Sequence, residues 1–146
     1  MKLSTRCRYG TRLVIALAQK YDQGPVPMNE IAQRHGMSVK YLEQLIIPLK
    51  KAKLIASVRG TKGGHFLAKP PEAITIGQIV RILEGEDDLV PCMEDPNDCT
   101  LTQRCLTRHL WLEAIEAFYT VLDSVNLKQI VDEWRRRRAA KRAASS

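Results

Sequence analysis

The stretch Asn29-Glu30-Ile31-Ala32-Gln33-Arg34-His35-Gly36-Met37-Ser38-Val39-Lys40-Tyr41-Leu42-Glu43-Gln44-Leu45-Ile46 decides the fold. A short helix fits Asn29 to His35 and stops at Gly36, whose freedom at positive φ suits a tight turn. Ser38 is a good cap for the next helix, which reaches about Lys51 and turns Leu42, Leu45, Ile46 and Leu49 to one side. Pro48 sits inside that run, so a kink or an early end is expected there. Two short helices joined through a glycine turn make a helix-turn-helix. The period then changes. Residues 54–59 read as a strand, Gly60-Thr61-Lys62-Gly63-Gly64 as a turn, and 65–68 as the returning strand. A hairpin in this position is the wing of a winged helix.

Upstream, Ser4 caps a first helix with Tyr9, Leu13, Val14, Leu17 and Ala18 on one face, ended by Asp22-Gln23-Gly24-Pro25. Downstream, Thr75 caps a helix carrying Ile76, Ile79, Val80 and Leu83. Residues 85–102 show no period, and a loop of that length is usually functional or disordered. A long helix is expected from about Gln103 to Asp123. Its stripe is Leu106, Leu110, Ala114, Ala117, Val121 and Leu122, with Trp111, Phe118 and Tyr119 adding apolar surface on the exposed side. That surplus suits a helix-to-helix homodimer interface. A last helix runs from Leu127 to about Arg138. The fold class is therefore mainly α with a small β wing, a winged helix-turn-helix domain plus a long dimerisation helix. The expected units are residues 1–84, the DNA-binding head; 85–105, a cysteine loop; 106–134, the dimerisation and final helices; and 135–146, a basic disordered tail.

Charge is divided along the chain. Residues 1–70 hold 13 Lys and Arg against three acids, residues 71–134 hold four against 13, and residues 135–146 add six cations and no acid. A basic front joined to an acidic back points to a polyanion met by the front alone. Leu, Ile, Val and Phe number 38 of 146 residues, enough for a core. The longest uncharged run is Ala73 to Val80, too short to cross a bilayer. The amino-terminal residues lack the pattern of a secretory signal, so a cytoplasmic protein without membrane association is expected. No glycine-rich Lys-Ser/Thr phosphate loop, Gly-x-Ser-x-Gly or His-Glu-x-x-His occurs, so no enzyme is read here.

A recognition helix enters the major groove amino end first. Ser38, Lys40, Tyr41 and Gln44 lie on its first turns: Gln44 has amide geometry for adenine, Ser38 and Lys40 suit phosphates, and Glu43 favours cytosine. In the wing, Arg59 can enter a narrow minor groove. Arg59 and Lys62 flank glycines, with Gly63 and Gly64, that let backbone approach a phosphate. Double-stranded operator DNA is the expected partner; a wing used for protein contacts, or a basic half that binds RNA or an acidic protein, is the alternative. Cys92, Cys99 and Cys105 stand seven and six positions apart. No pair has the spacing usual for structural zinc. Spread thiolates suit an iron–sulfur cluster, and ordinary free cysteines fit the spacing as well. Cys7 reads as a small packed residue, and His109 stands one helical turn after Cys105.

Three segments together resemble the bacterial iron–sulfur winged-helix regulators of the Rrf2 family, which includes IscR-, NsrR- and RirA-like proteins. They are Met1-Lys2-Leu3-Ser4 through Arg8-Tyr9-Gly10; Ser38 through Leu45 with Ser57 through Gly64; and Cys92, Cys99 and Cys105-Leu106-Thr107 with Leu110-Trp111. The resemblance covers about residues 1–134. It implies a dimeric repressor or activator whose affinity for a pseudo-palindromic operator changes with an iron–sulfur cluster of two-iron or four-iron type. Such a regulator reports iron or cluster status, oxidants or nitric oxide. Cluster loss would free the three cysteines and unneutralise Glu94, Asp95 and Asp98. A cluster-free regulator responding to a metabolite or partner protein is the other reading. The chain departs from the family in places. IscR-like members carry a His where Arg108 stands, and the imidazole comes one place later at His109. NsrR-like members carry an acid where Arg8 stands, beside Cys7. The fourth ligand stays open between His109, Cys7 of the partner subunit and a small molecule. The first cysteine interval looks closer to RirA-like members.

Overall fold

The computed structural model describes residues 3–85, 99–100 and 104–146. Ser4 Oγ accepts a hydrogen bond from the Cys7 amide at 3.0 Å and starts α1, Thr5–Gln19. Helix α2, Met28–His35, closes on Gly36 at φ 62°, with the Met37 amide returning to Ala32 O. Helix α3, Val39–Lys51, begins on Ser38, whose Oγ accepts from the Tyr41 amide at 3.1 Å. Pro48 does not shorten it. The proline lies in the last turns, where only the bond to the carbonyl four residues earlier is forfeited. The helix ends in a Schellman arrangement: Lys53 takes φ 58°, its amide reaches Lys50 O at 2.9 Å, and Leu54 N reaches Leu49 O at 3.0 Å. That turn drives Leu54 into the core as β1 begins.

The wing is β1, Ile55–Val58, antiparallel to β2, Gly64–Leu67, in register Ile55 to Leu67 and Val58 to Gly64. Its returning strand is tied to the chain entering α2 by paired Val26–His65 backbone bonds of 2.8 and 2.9 Å. A 3-10 turn, Pro71–Ala73, leads to α4, Ile76–Glu84. Helices α5, Arg108–Asp123, and α6, Leu127–Ala144, complete the described chain. The winged helix-turn-helix read from sequence is present. No described helix is long and apolar enough to cross a membrane.

Capping boxes start α4 on Thr75 and Gln78 and α6 on Asn126 and Gln129. Those two starts are zipped together by Ile76 N to Val125 O and Leu127 N to Ile74 O, both 2.9 Å. Arg81 of α4 grips Asp123 at the end of α5 through two bonds of 2.8 and 2.7 Å and stacks 4.0 Å from the Tyr119 ring centre. The Arg81 guanidinium holds the Asp123 carboxyl below the usual carboxylate range. One core joins Leu13, Val14 and Leu17 of α1 to Ile31, Leu42, Leu45, Leu49, Ile79 and Leu83, and reaches Tyr119, Leu127 and Val131.

Three expectations are corrected. Helix α5 starts at Arg108, not near Gln103, and Arg104 to Thr107 precede it without helix. Its inward face is Tyr119, buried, with Ile115, Phe118 and Leu122 packed beside it. Leu110, Trp111, Leu112 and Val121 are exposed. The stripe thus faces largely out, and Phe118 and Tyr119, expected on the exposed side, instead meet Arg81 and the core. Finally, residues 135–144 are helical, not a disordered tail. Arg, Ala and Lys are strong helix formers. Lys128–Asp132, Asp132–Arg135 and Glu133 with Arg136 and Arg137 add pairs three or four residues apart.

At the α1–α4 crossing a Cβ on Gly10 would overlap Leu83 Cδ1. Gly10→Ala is expected to lower stability by about 1–3 kcal/mol, since a packed interior resists an added methyl. A urea midpoint equal to that of the wild type would contradict this.

Candidate nucleic-acid interface and cysteine segment

The exposed face of α3 carries Lys40, Glu43, Gln44 and Ile47. Ser38 is exposed but its Oγ is committed as the helix cap, worth about 1 kcal/mol. Only its hydroxyl hydrogen remains for a phosphate. Tyr41 is half-buried and meets Tyr9 of α1 edge to face at 6.0 Å, while the Arg12 guanidinium lies 5.3 Å from the Tyr9 ring centre. Tyr41 therefore joins α3 to α1 with one edge toward solvent. Ile47 is 67% exposed, one helical turn beyond Gln44 on the same face. Sequence reading missed it. The signal was its place off the Leu42, Leu45, Ile46 and Leu49 stripe, on the side of Lys40 and Gln44. An apolar side chain there suits a thymine methyl in the major groove.

The wing stands against the far end of α3. Lys50 Nζ donates to Ser57 Oγ at 2.6 Å, which fixes the strand beside the helix. Arg59 and Lys62 are exposed at the tip, and the Gly63 amide returns to Gly60 O at 3.0 Å. Gly63 and Gly64 have a structural reason to be glycine. A Cβ on Gly63 would strike the Val58 carbonyl, and one on Gly64 would stand 2.5 Å from the Val26 carbonyl. Their smallness closes the hairpin and seats it on the α2 approach. His65 belongs to β2, opposite Ser57. Burial and the neighbouring Lys50 push its imidazole pKa down, against a smaller upward pull from Glu43.

The cysteines are not equivalent. Cys92 lies outside the described residues, as do Glu94, Asp95 and Asp98. Cys99 is half-buried. Cys105 Sγ stands 3.5 Å from Thr107 Oγ1, just before the amino end of α5. The Thr107 hydroxyl, the Thr107 and Arg108 amides and the Arg108 charge lower the Cys105 thiol pKa. A thiolate favoured in this way suits a soft metal ion, so Cys105, as a single donor, is compatible with an iron–sulfur group. Cys7 does not fit. It is 1% exposed on the inward face of α1. Burial first, then the Glu84 charge, push its thiol up to about 11. A thiol enclosed by its own protomer's core cannot reach a partner subunit's site, which corrects that expectation. His109 is exposed on the first turn of α5, and Arg108 is the side chain acting on Cys105. Among the described residues no three His, Cys, Asp or Glu gather as a metal site.

Residues 3–133 match the family profile described as an iron-dependent transcriptional regulator. The chain is 42% identical over 130 residues to the HTH-type transcriptional regulator CymR of Bacillus subtilis, covering 89% of each. It is also similar to the solved structure of B. subtilis CymR, described as the global cysteine regulator. That likeness has a TM-score of 0.74 and 40% identity over 91% of this chain and 98% of the other. The solved structure of T. potens IscR matches with a TM-score of 0.74 and 38% identity, over 91% of this chain and 88% of the other.

The Cys105 environment generates a test. A lowered thiol pKa places the thiolate, the reactive form, at lower pH than in an ordinary cysteine. Iodoacetamide should label Cys105 of the native metal-free protein near neutral pH and leave Cys7 unlabelled until denaturation. Site-resolved peptide mass spectrometry showing Cys7 modified first would contradict the assignment.

Proposed function

Since the chain belongs to the Rrf2 family of transcriptional regulators, we propose that it is a cytoplasmic homodimer that reads a pseudo-palindromic operator and that an iron–sulfur cluster controls its affinity. The observation that carries the operator reading is the outward set Lys40, Gln44 and Ile47 on α3 beside the Arg59–Lys62 wing tip. Gln44 supplies a bidentate amide for adenine, Lys40 neutralises a phosphate, and Arg59 reaches the minor groove. The exposed Leu110, Trp111 and Val121 of α5 are the surface that a second copy covers.

Cys92, Cys99 and Cys105 would hold the cluster, with the fourth ligand His109 or a small molecule. A bound cluster supplies charge that depends on iron and on oxidants. The chain's own residues supply the coupling. Glu84, at the end of α4, accepts the Ser4 amide at 2.6 Å, and Leu83 packs at Gly10. The start of the cysteine segment is thus pinned to α1, which packs against α3. Its far end enters α5, clamped to α4 by Arg81 and Asp123. A change in the tension of this segment acts on the helices that seat the recognition helix. A coupling of about 1–3 kcal/mol corresponds to a roughly 5- to 150-fold change in affinity.

A second reading, a cluster-free regulator that responds to a metabolite or partner protein, is favoured by the likeness to a cysteine regulator. Anaerobic purification followed by native mass spectrometry separates the two. Irons and sulfides bound to a dimer are expected, and Cys99→Ala should lose them while remaining dimeric. A colourless wild type after reconstitution would select the second reading. For the wing, Arg59→Ala should cost about 1–3 kcal/mol on an operator duplex and relax preference at one position. Unchanged affinity for every duplex would remove the wing from the interface.

A further inference from the structure

Helix α6 changes character along a single face. Leu127 and Val131 point into the core. The positions that follow on that face, four, seven and eleven residues after Val131, are Arg135, Arg138 and Arg142, with Lys141 at its border. The side of the helix that packs on the protomer therefore runs on as a row of cations toward the edge of the head. Arg138 lies 5.2 Å from the ring centre of Trp134, and both line a groove with Lys20, Arg34 and His35.

Like charges converge at this groove. The nearby Arg34 and Arg12 charges add to burial in lowering the His35 pKa, and His35 Nε2 has no hydrogen-bond partner. Lys20 and Arg34 both turn to a single acid, Glu30, at 3.1 and 4.0 Å. Asp132 and Glu133, the acids of α6, are taken up by Lys128, Arg135, Arg136 and Arg137. Among the described residues no ion pair involves Arg138, Lys141 or Arg142. Gathering several cations around a single acid is unfavourable in the free protein and favourable against a polyanion. The groove also has an address. His35 is three residues ahead of Ser38, so it adjoins the amino end of the helix that faces the bases.

We propose that Arg138, Lys141 and Arg142 of α6, continuous with Arg34 and Lys20 of the head, form an auxiliary surface that grips the phosphates of duplex DNA flanking the bases reached by α3 and the wing. The inference rests on the operator reading and deepens it. These contacts add affinity without sequence preference, because phosphates carry no base identity. They lengthen the footprint of each head.

The test compares wild type, the triple variant Arg138→Gln, Lys141→Gln, Arg142→Gln, and a charge-keeping variant Arg138→Lys, Arg142→Lys. Each is titrated with mixed-sequence duplexes of about 20 and about 40 base pairs over a salt series. Each phosphate neutralised contributes roughly 0.9 to the slope of log affinity against log salt. On the long duplex the triple variant should lose about 2–3 from that slope, the lysine variant should keep it, and the variants should differ little on the short duplex. Matching slopes for wild type and triple variant on the long duplex would overturn the inference and leave the operator reading standing. An equal loss on both duplexes would overturn it too, since the contacts would not be flanking ones. A wild type that binds neither duplex would sink the operator reading, and this inference with it.

Discussion

The joint between α4, α5 and α6 holds the rest in place. Arg81 makes a bidentate pair with Asp123 and stacks on Tyr119, and Thr75 Oγ1 donates to the same carboxylate at 3.3 Å. Gly77 is the residue that lets the carboxylate come so near; a Cβ there would collide with Asp123 Oδ1. The pair is partly open to solvent, so its role lies in geometry more than in net stability. It fixes where α5 leaves the head, and with it the direction of every exposed apolar side chain on that helix. The adjoining exchange between residues 74–76 and 125–127 fixes α6 in the same way.

Consequently the reading head and the cysteine segment share supports. Helix α1 meets α3 through Tyr9 and Tyr41, meets α4 at Gly10 and Leu83, and receives the Glu84 carboxylate at its own start. Nothing that moves α4 leaves α1 unaffected, and α1 forms one wall of the seat for α3. The thiols divide along the same lines. Cys7 belongs to that wall and is chemically quiet, whereas Cys105 stands outside it with its thiolate favoured.

The helix-turn-helix and wing were legible because local and long-range signals agreed. Ser38 caps, Gly36 turns, and Leu42, Leu45 and Leu49 bury at helical spacing. Helix α5 was misread because apolar residues occur around most of its circumference. Its inward side is chosen by Arg81 and Tyr119, a partnership 38 residues apart that periodicity does not contain. The last residues read as disordered on hydrophobicity alone, yet their helix propensity and close ion pairs carry the helix on to Ala144. Cys7 was weighed as a ligand through its neighbour Arg8, but adjacent helix positions point about 100° apart. Cys7 turns inward and Arg8 outward.

Ile47 sets two kinds of DNA contact apart. An exposed isoleucine amid the polar residues of α3 surrenders its hydration shell when it enters a groove, and lost apolar hydration registers as a negative heat-capacity change. The cations at the end of α6 exchange condensed counterions instead, an entropic event tied to ionic strength. Calorimetry against temperature would therefore see the bases being read, and titration against salt would see the backbone being held.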